Sequence, residues 1–173
     1  VMTYVYDGTL EGLLTVIHHC LEKRIVPNAI TDKPSEGEEL FSKPATLRTD
    51  LRKAESLIKR FHERTARDEV KNICLAFFAD TSTKEIHIYK YVELGMRIGG
   101  KISSYLTDDT VRFVSTCARK VGREAHRMKG LMRFKELRDG RYYACMSPDH
   151  NILALISGHF ARRMSDTDWL VHD

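Results

Sequence analysis

The stretch that most limits how this chain can fold is its last third, where the hydrophobic period changes from that of a strand to that of a helix and back. Leu131–Leu137 and Arg141–Met146 read as two short strands separated by Arg138-Asp139-Gly140. An Asp-Gly pair between two such runs has the composition of a tight hairpin turn, because Asp and Gly accept the backbone angles it needs. Ser147-Pro148-Asp149 then reads as a helix start, with Ser as N-cap, Pro at the first helical position and Asp favoured by the helix dipole. Ile152, Leu153, Ile156, Phe160 and Met164 continue it at helical spacing, with Arg163 on the same face and His159 at its border. Trp169–His172 returns as a strand. The expected fold is α+β and mostly helical. Its small antiparallel sheet comes from the C-terminal β-hairpin and final strand (131–137, 141–146, 168–172), with the N-terminal strand as a further candidate member.

The rest of the chain is helical in pattern. Thr3–Tyr6 is a short strand, and Thr9 caps a helix through about Lys23, with Leu10, Leu13, Leu14 and Ile17 on one face. Residues 25–45, which contain Pro27 and Pro34, form a loop with a short strand at Leu40-Phe41. Leu47, Leu51, Ala54, Leu57, Ile58 and Phe61 make an amphipathic helix, and Asp68–Ala79 a buried one. Glu85–Arg97 alternates as a strand would, yet it is too long for one and ends at Gly99-Gly100, so it reads as helix. The same glycines nearly complete a P-loop, Gly95-x-x-x-x-Gly100-Lys101. The next residue is Ile102 where Ser or Thr would hold magnesium, and the element before it is a helix, so the motif is rejected. At 173 residues the chain reads as a single domain, a helical N-terminal part (1–128) followed by the β-hairpin–helix–strand unit (129–173).

Charge is distributed unevenly. Residues 111–163 carry twelve Lys/Arg against four Asp/Glu, whereas residues 1–110 carry sixteen against seventeen. The excess is sharpest on the helix from Thr107 to about Met128. Phe113, Val114, Cys117, Ala118, Val121, Ala125 and Met128 form its apolar face; Arg112, Thr116, Arg119, Lys120, Arg123, His126 and Arg127 form the opposite one. A solvated helix mixes charge signs, because like charges one turn apart repel by tenths of a kcal/mol. A face of five permanent cations with Glu124 only at its edge points to an anionic partner, and Arg suits forked phosphate contacts. The competing explanation is that acids from elsewhere in the fold neutralise the stripe.

No apolar run is long enough for a transmembrane helix, so no membrane partner is expected. The N-terminus lacks a signal-peptide pattern, and Cys20, Cys74, Cys117 and Cys145 are scattered. They read as buried thiols of a cytoplasmic protein. His150 and His159 would stand on opposite sides of one helix, and no Cys/His cluster exists, so neither a metal site nor a cofactor is expected. Arg163 on an apolar face calls for an acidic partner, with Asp173 or Asp7 available at strand ends.

Several of these residues fall into a combined pattern. Tyr6-Asp7-Gly8-Thr9 with Gly12-Leu13-Leu14, His126-Arg127-x-x-Gly130-x-x-Arg133-Phe134, Pro148-Asp149-His150-Asn151-Ile152, His159-Phe160-x-x-Arg163 and Trp169-x-x-x-Asp173 resemble a bacterial family of DNA-metabolism proteins encoded beside a radical-SAM protein. In some members this domain is fused to a uracil-DNA glycosylase-type domain. The resemblance implies a role in DNA repair or modification and supplies no catalytic residues.

The resulting expectation is a DNA-binding protein of a repair or modification system that acts with an enzyme partner, the radical-SAM protein being the candidate. Its nucleic-acid contacts would be Arg112, Arg119, Lys120, Arg123, Arg127, Arg133, Arg162 and Arg163. The alternative is a nucleotide- or nucleobase-processing enzyme using His126, His150 or His159 as general acid/base, with Asp173 a further candidate. His126, Arg133, His159, Arg163 and Asp173 are expected to converge on one partly buried polar site.

Overall fold

In the computed structural model, residues 2–33 and 44–173 are described; the strand expected at Leu40-Phe41 lies outside them. β1 (Thr3–Val5) leads into α1 (Leu10–Lys23), which starts where the Thr9 hydroxyl accepts the Gly12 N–H at 2.9 Å. β2 (Ala29–Thr31) and β3 (Ala45–Thr46) then flank β1 on either side, both parallel to it. Four helices follow: α2 (Leu51–Arg64), α3 (Arg67–Phe77), α4 (Lys84–Ile98) and, after a short 3-10 turn at Ile102–Ser104, α5 (Asp109–Leu131). β4 (Lys135–Glu136), β5 (Tyr142–Cys145), α6 (Leu153–Arg163) and β6 (Trp169–His172) complete the chain.

The α+β class and its helical bias match the expectation, whereas the sheets do not. β1 belongs to a separate all-parallel sheet of order β2-β1-β3 and never meets the C-terminal strands. In that C-terminal sheet, of order β4-β5-β6, β4 and β5 are antiparallel but β5 and β6 are parallel, with Tyr142 opposite Trp169 and Cys145 opposite His172. The sheet is therefore mixed. Only the hairpin reverses the chain; α6 is a crossover that returns it to its starting end, so the strand after it enters parallel.

Element boundaries moved where tertiary bonds competed with local ones. α5 continues to Leu131, which shortens the expected strand 131–137 to Lys135–Glu136. Leu47 is not in α2, because Asp50 caps that helix and the Leu47 N–H donates to the Val5 carbonyl instead. α6 begins at Leu153 rather than at Ser147-Pro148-Asp149. The Asp149 N–H goes to the Glu124 carboxylate at 2.8 Å and the Asn151 N–H to the Phe78 carbonyl at 3.1 Å, so those backbone groups are held outside the helix. α4 is helical throughout and ends at Gly99 with φ +68°. Gly95 lies inside that helix, where an added Cβ would stand 2.4 Å from the Phe61 ring, so the P-loop-like glycines serve packing and helix termination.

Two apolar clusters hold the fold. The larger joins β1, α1, α2, α3 and α4 around Tyr4, Leu13, Ile17, Leu57, Phe61 and Tyr91; the smaller places α6 and Met146 over Ala79. α5 belongs to both, through Val111 and Val114 in the first and Val121 and Ala125 in the second. It is the central element of the molecule. Among the described residues no helix is long and apolar enough to cross a membrane.

Candidate nucleic-acid interface

Because α5 spends one face on both cores, its other face is left to solvent. Arg112, Arg119, Lys120, Arg123, His126 and Arg127 are all exposed there. Among the described residues acids reach only the two ends: Asp109 pairs with Arg112, and Glu124 stands 4.0 Å from Arg127. Among the described residues Arg119, Lys120 and Arg123 have no acid within ion-pair distance. Glu124, placed by sequence at the edge of this face, is buried, and one carboxylate oxygen accepts the Asp149 N–H. It therefore tethers the 147–152 loop and offsets the stripe little.

Beside the stripe lies a groove of about 890 Å³ between α3 and α5. Arg119, Arg123, His126 and Lys129 line it from α5, while Lys71 of α3 and Lys101, just after α4, close it from the other side. Asp68 is the one acid among its lining residues. Under the groove Glu69 is fully buried, accepting the Tyr91 hydroxyl, the Ser103 hydroxyl at 2.8 Å and the Ser103 N–H at 3.2 Å. Burial and this bond push the Tyr91 phenol well above its ordinary range, so it stays a donor. The bonds to Ser103 hold the segment carrying Lys101 against α3.

The groove cations Lys71, Lys101 and Lys129 were not among the expected contacts. Lys129 carried a signal, since it extends the stripe three residues beyond His126. Lys71 and Lys101 carried none, because only the packing of α3 and α4 on α5 brings them there.

The other expected contacts are placed differently. Arg133 donates to the Gly130 and Met132 carbonyls at 2.9 and 3.2 Å, bonding carbonyls at the end of α5. Arg162 and Arg163 are exposed in the last turn of α6, so Arg163 does not sit on the core face and needs no buried acid.

The expected five-residue convergence does not form. His126 lines the groove. Asp173 is exposed and lines a separate cavity of about 280 Å³ with His150. His159 stands edge-on to Phe160, ring centroids 5.0 Å apart, with Nε2 buried and unpartnered. His150 is in the loop before α6, not on the helix, and its Nδ1 accepts the Asp80 N–H at 3.3 Å. The unit's short connections keep these elements adjacent, yet the parallel return of β6 carries Asp173 to the side of the 148–151 loop.

Of the cysteines, only Cys20 is buried, where desolvation pushes its thiol to about 11; Cys74 and Cys117 are half-buried, and Cys145 is exposed on β5. The expectation of uniformly buried thiols is corrected accordingly. Asp7 receives the Thr49 hydroxyl at 2.5 Å and the Thr9 hydroxyl at 2.6 Å. Those bonds hold its carboxyl below the usual carboxylate range and lock the β1–α1 turn to the segment after β3. The Tyr6-Asp7-Gly8-Thr9 motif is thus explained by the fold.

A family model described as a domain of unknown function, DUF4130, matches residues 82–173, just over half of the chain. The chain belongs to the DUF4130 family. No curated protein and no solved structure matches it. The DUF4130 match takes in α5 and all of its stripe, Lys101 and the C-terminal sheet, while Lys71 and the α3 wall of the groove lie before it.

Proposed function

We propose that this chain is a DNA-binding protein of a repair or modification system, gripping the phosphate backbone along α5 and in the groove beside it. The observation that carries the reading is the set of exposed cations Arg119, Lys120 and Arg123, which have no acidic partner among the described residues. Lys71 and Lys101 face them across the groove. Cations concentrated in a concave site are held against mutual repulsion, which a polyanion relieves. The resemblance to DNA-metabolism proteins agrees with this and extends it to an enzyme partner, the neighbouring radical-SAM protein. The alternative, histidine acid/base chemistry, draws no support from the placement of His126, His150 and His159, which occupy three separate surroundings.

The test is equilibrium binding to a labelled duplex and a labelled single strand over a salt series. If four to six cations each neutralise one phosphate, the logarithm of affinity falls with that of salt with a slope of about −3 to −5. Arg119→Glu with Arg123→Glu abolishes most of the binding. Salt-insensitive binding, or none at low salt, refutes the proposal.

A further inference from the structure

α5 has a second cavity on its other flank, of about 720 Å³. Its walls are the Ala79–Thr81 loop, His87 of α4, His150, and from α5 Phe113, Thr116, Cys117, Lys120 and the paired Asp109 and Arg112, which leaves Lys120 as the cation there without an acid at ion-pair distance among the described residues. The basic stripe is therefore a ridge with a hollow on each side: Arg119 and Arg123 border the groove, Arg112 and Lys120 this cavity.

The chemistry of the two hollows differs. Here the His87 imidazole lies on the Phe113 ring, centroids 3.9 Å apart and planes within 18°. Burial, reinforced by Lys90, holds the His87 pKa below its ordinary value, so the ring is uncharged at neutral pH. His150 accepts the Asp80 N–H on Nδ1, which leaves the proton of the neutral ring on Nε2 as a donor. Asp80 adds a carboxylate acceptor, and Thr81 and Thr116 add hydroxyls. Aromatic and apolar walls with a few convergent polar groups are the make-up of a small-molecule cavity, and this volume is within the usual range. With Lys120 at its edge, the matching ligand is a flat heteroaromatic ring joined to a phosphate.

We infer that this cavity takes a nucleobase whose own phosphate rests on Lys120 of the α5 ridge. The inference builds on the phosphate reading above: the ridge holds the backbone, and the His87–Phe113 hollow receives a base from it. The same chemistry is offered by a nucleotide turned out of a strand and by a free mononucleotide.

The experiment measures affinity for a short single strand, for a phosphodeoxyribose strand of the same length that lacks bases, and for dAMP and dTMP. The base-bearing strand binds roughly tenfold tighter than the abasic one, the gain expected when a base stacks on an aromatic wall. Thr116→Trp fills the cavity and Phe113→Leu removes the aromatic face while keeping apolar bulk. Each variant loses that tenfold gain and keeps the affinity for the abasic strand. Equal wild-type affinities for the two strands overturn the base pocket and leave the phosphate ridge standing. If neither strand binds, the phosphate reading has failed and the mononucleotides decide. Binding of dAMP or dTMP that Thr116→Trp abolishes supports the pocket with a free nucleotide as its source, and no binding overturns it. Where a variant melts early, the wild-type His87 ring resonances decide instead: movement on adding dAMP supports the pocket, and no movement overturns it.

Discussion

Replacing Glu69 by Ala tests whether the groove is built from below. The side chain is fully buried and accepts four hydrogen bonds, from the Tyr91 hydroxyl, the Ser103 hydroxyl, the Ser103 N–H and Asn72 Nδ2. The contacts at 3.2 Å from the Ser103 N–H and 3.3 Å from Asn72 are long and contribute least. The two hydroxyl bonds, each to a carboxylate, are worth at least about 1.5 kcal/mol apiece, and truncation also strands buried donors at about 1–3 kcal/mol. The gain in helix propensity from Ala offsets only a few tenths of a kcal/mol. The net cost is then about 4–6 kcal/mol, which for a chain of this size lowers the melting temperature by about 8–24 °C. Glu69→Gln, which keeps the shape and one acceptor oxygen, loses less than half as much. Thermal melts followed by circular dichroism measure both. A Glu69→Ala protein melting within about 2 °C of wild type would show that the carboxylate is not the anchor of the Ile102–Ser104 turn.

Gly95→Ala places a Cβ 2.4 Å from the Phe61 ring and 2.9 Å from Ile102. Phe61 and Ile102 are fully buried, so overpacking of about 1–3 kcal/mol outweighs the propensity gain of about 1 kcal/mol, and denaturant midpoints fall; a rise contradicts the packing argument. His87 links stability to acid. Its folded pKa lies below the ordinary 6.5 because burial, then Lys90, oppose its charge, with Asp109 acting the other way. Its stabilisation is present above pH 6.5 and is lost as pH falls from 6.5 through the folded value, since the unfolded ring takes its proton first. His87→Gln flattens the melting-temperature profile over that window, and identical profiles for the two proteins refute the assignment.

Much of this molecule follows from local chemistry that a sequence displays. Thr9 caps α1 because its hydroxyl reaches the N–H three residues on, and the Asp139-Gly140 turn forms with Gly140 at φ +83°. α4 is a helix despite its alternating apolar residues, since its length and Gly99 outweigh the alternation. The α5 stripe is visible for the same reason: which residues share a helix face depends only on 3.6-residue geometry.

The chain's self-contacts across space lacked any such local mark. β1, β2 and β3 are only two or three residues long, too short to show a period, and they pair in parallel across the segments that separate them, with α4 packed against β2. Ser147-Pro148-Asp149 holds a sound helix signal, yet Glu124 and Phe78 claim the backbone N–H groups that would have started the helix. Lys71, Lys101 and Arg119 are far apart in sequence, and only the packing of α3 and α4 on α5 makes them one groove. A local motif depends on bonds within one turn, so the residues themselves determine it; a groove depends on which faces are buried together, which is settled only when the whole core competes for them.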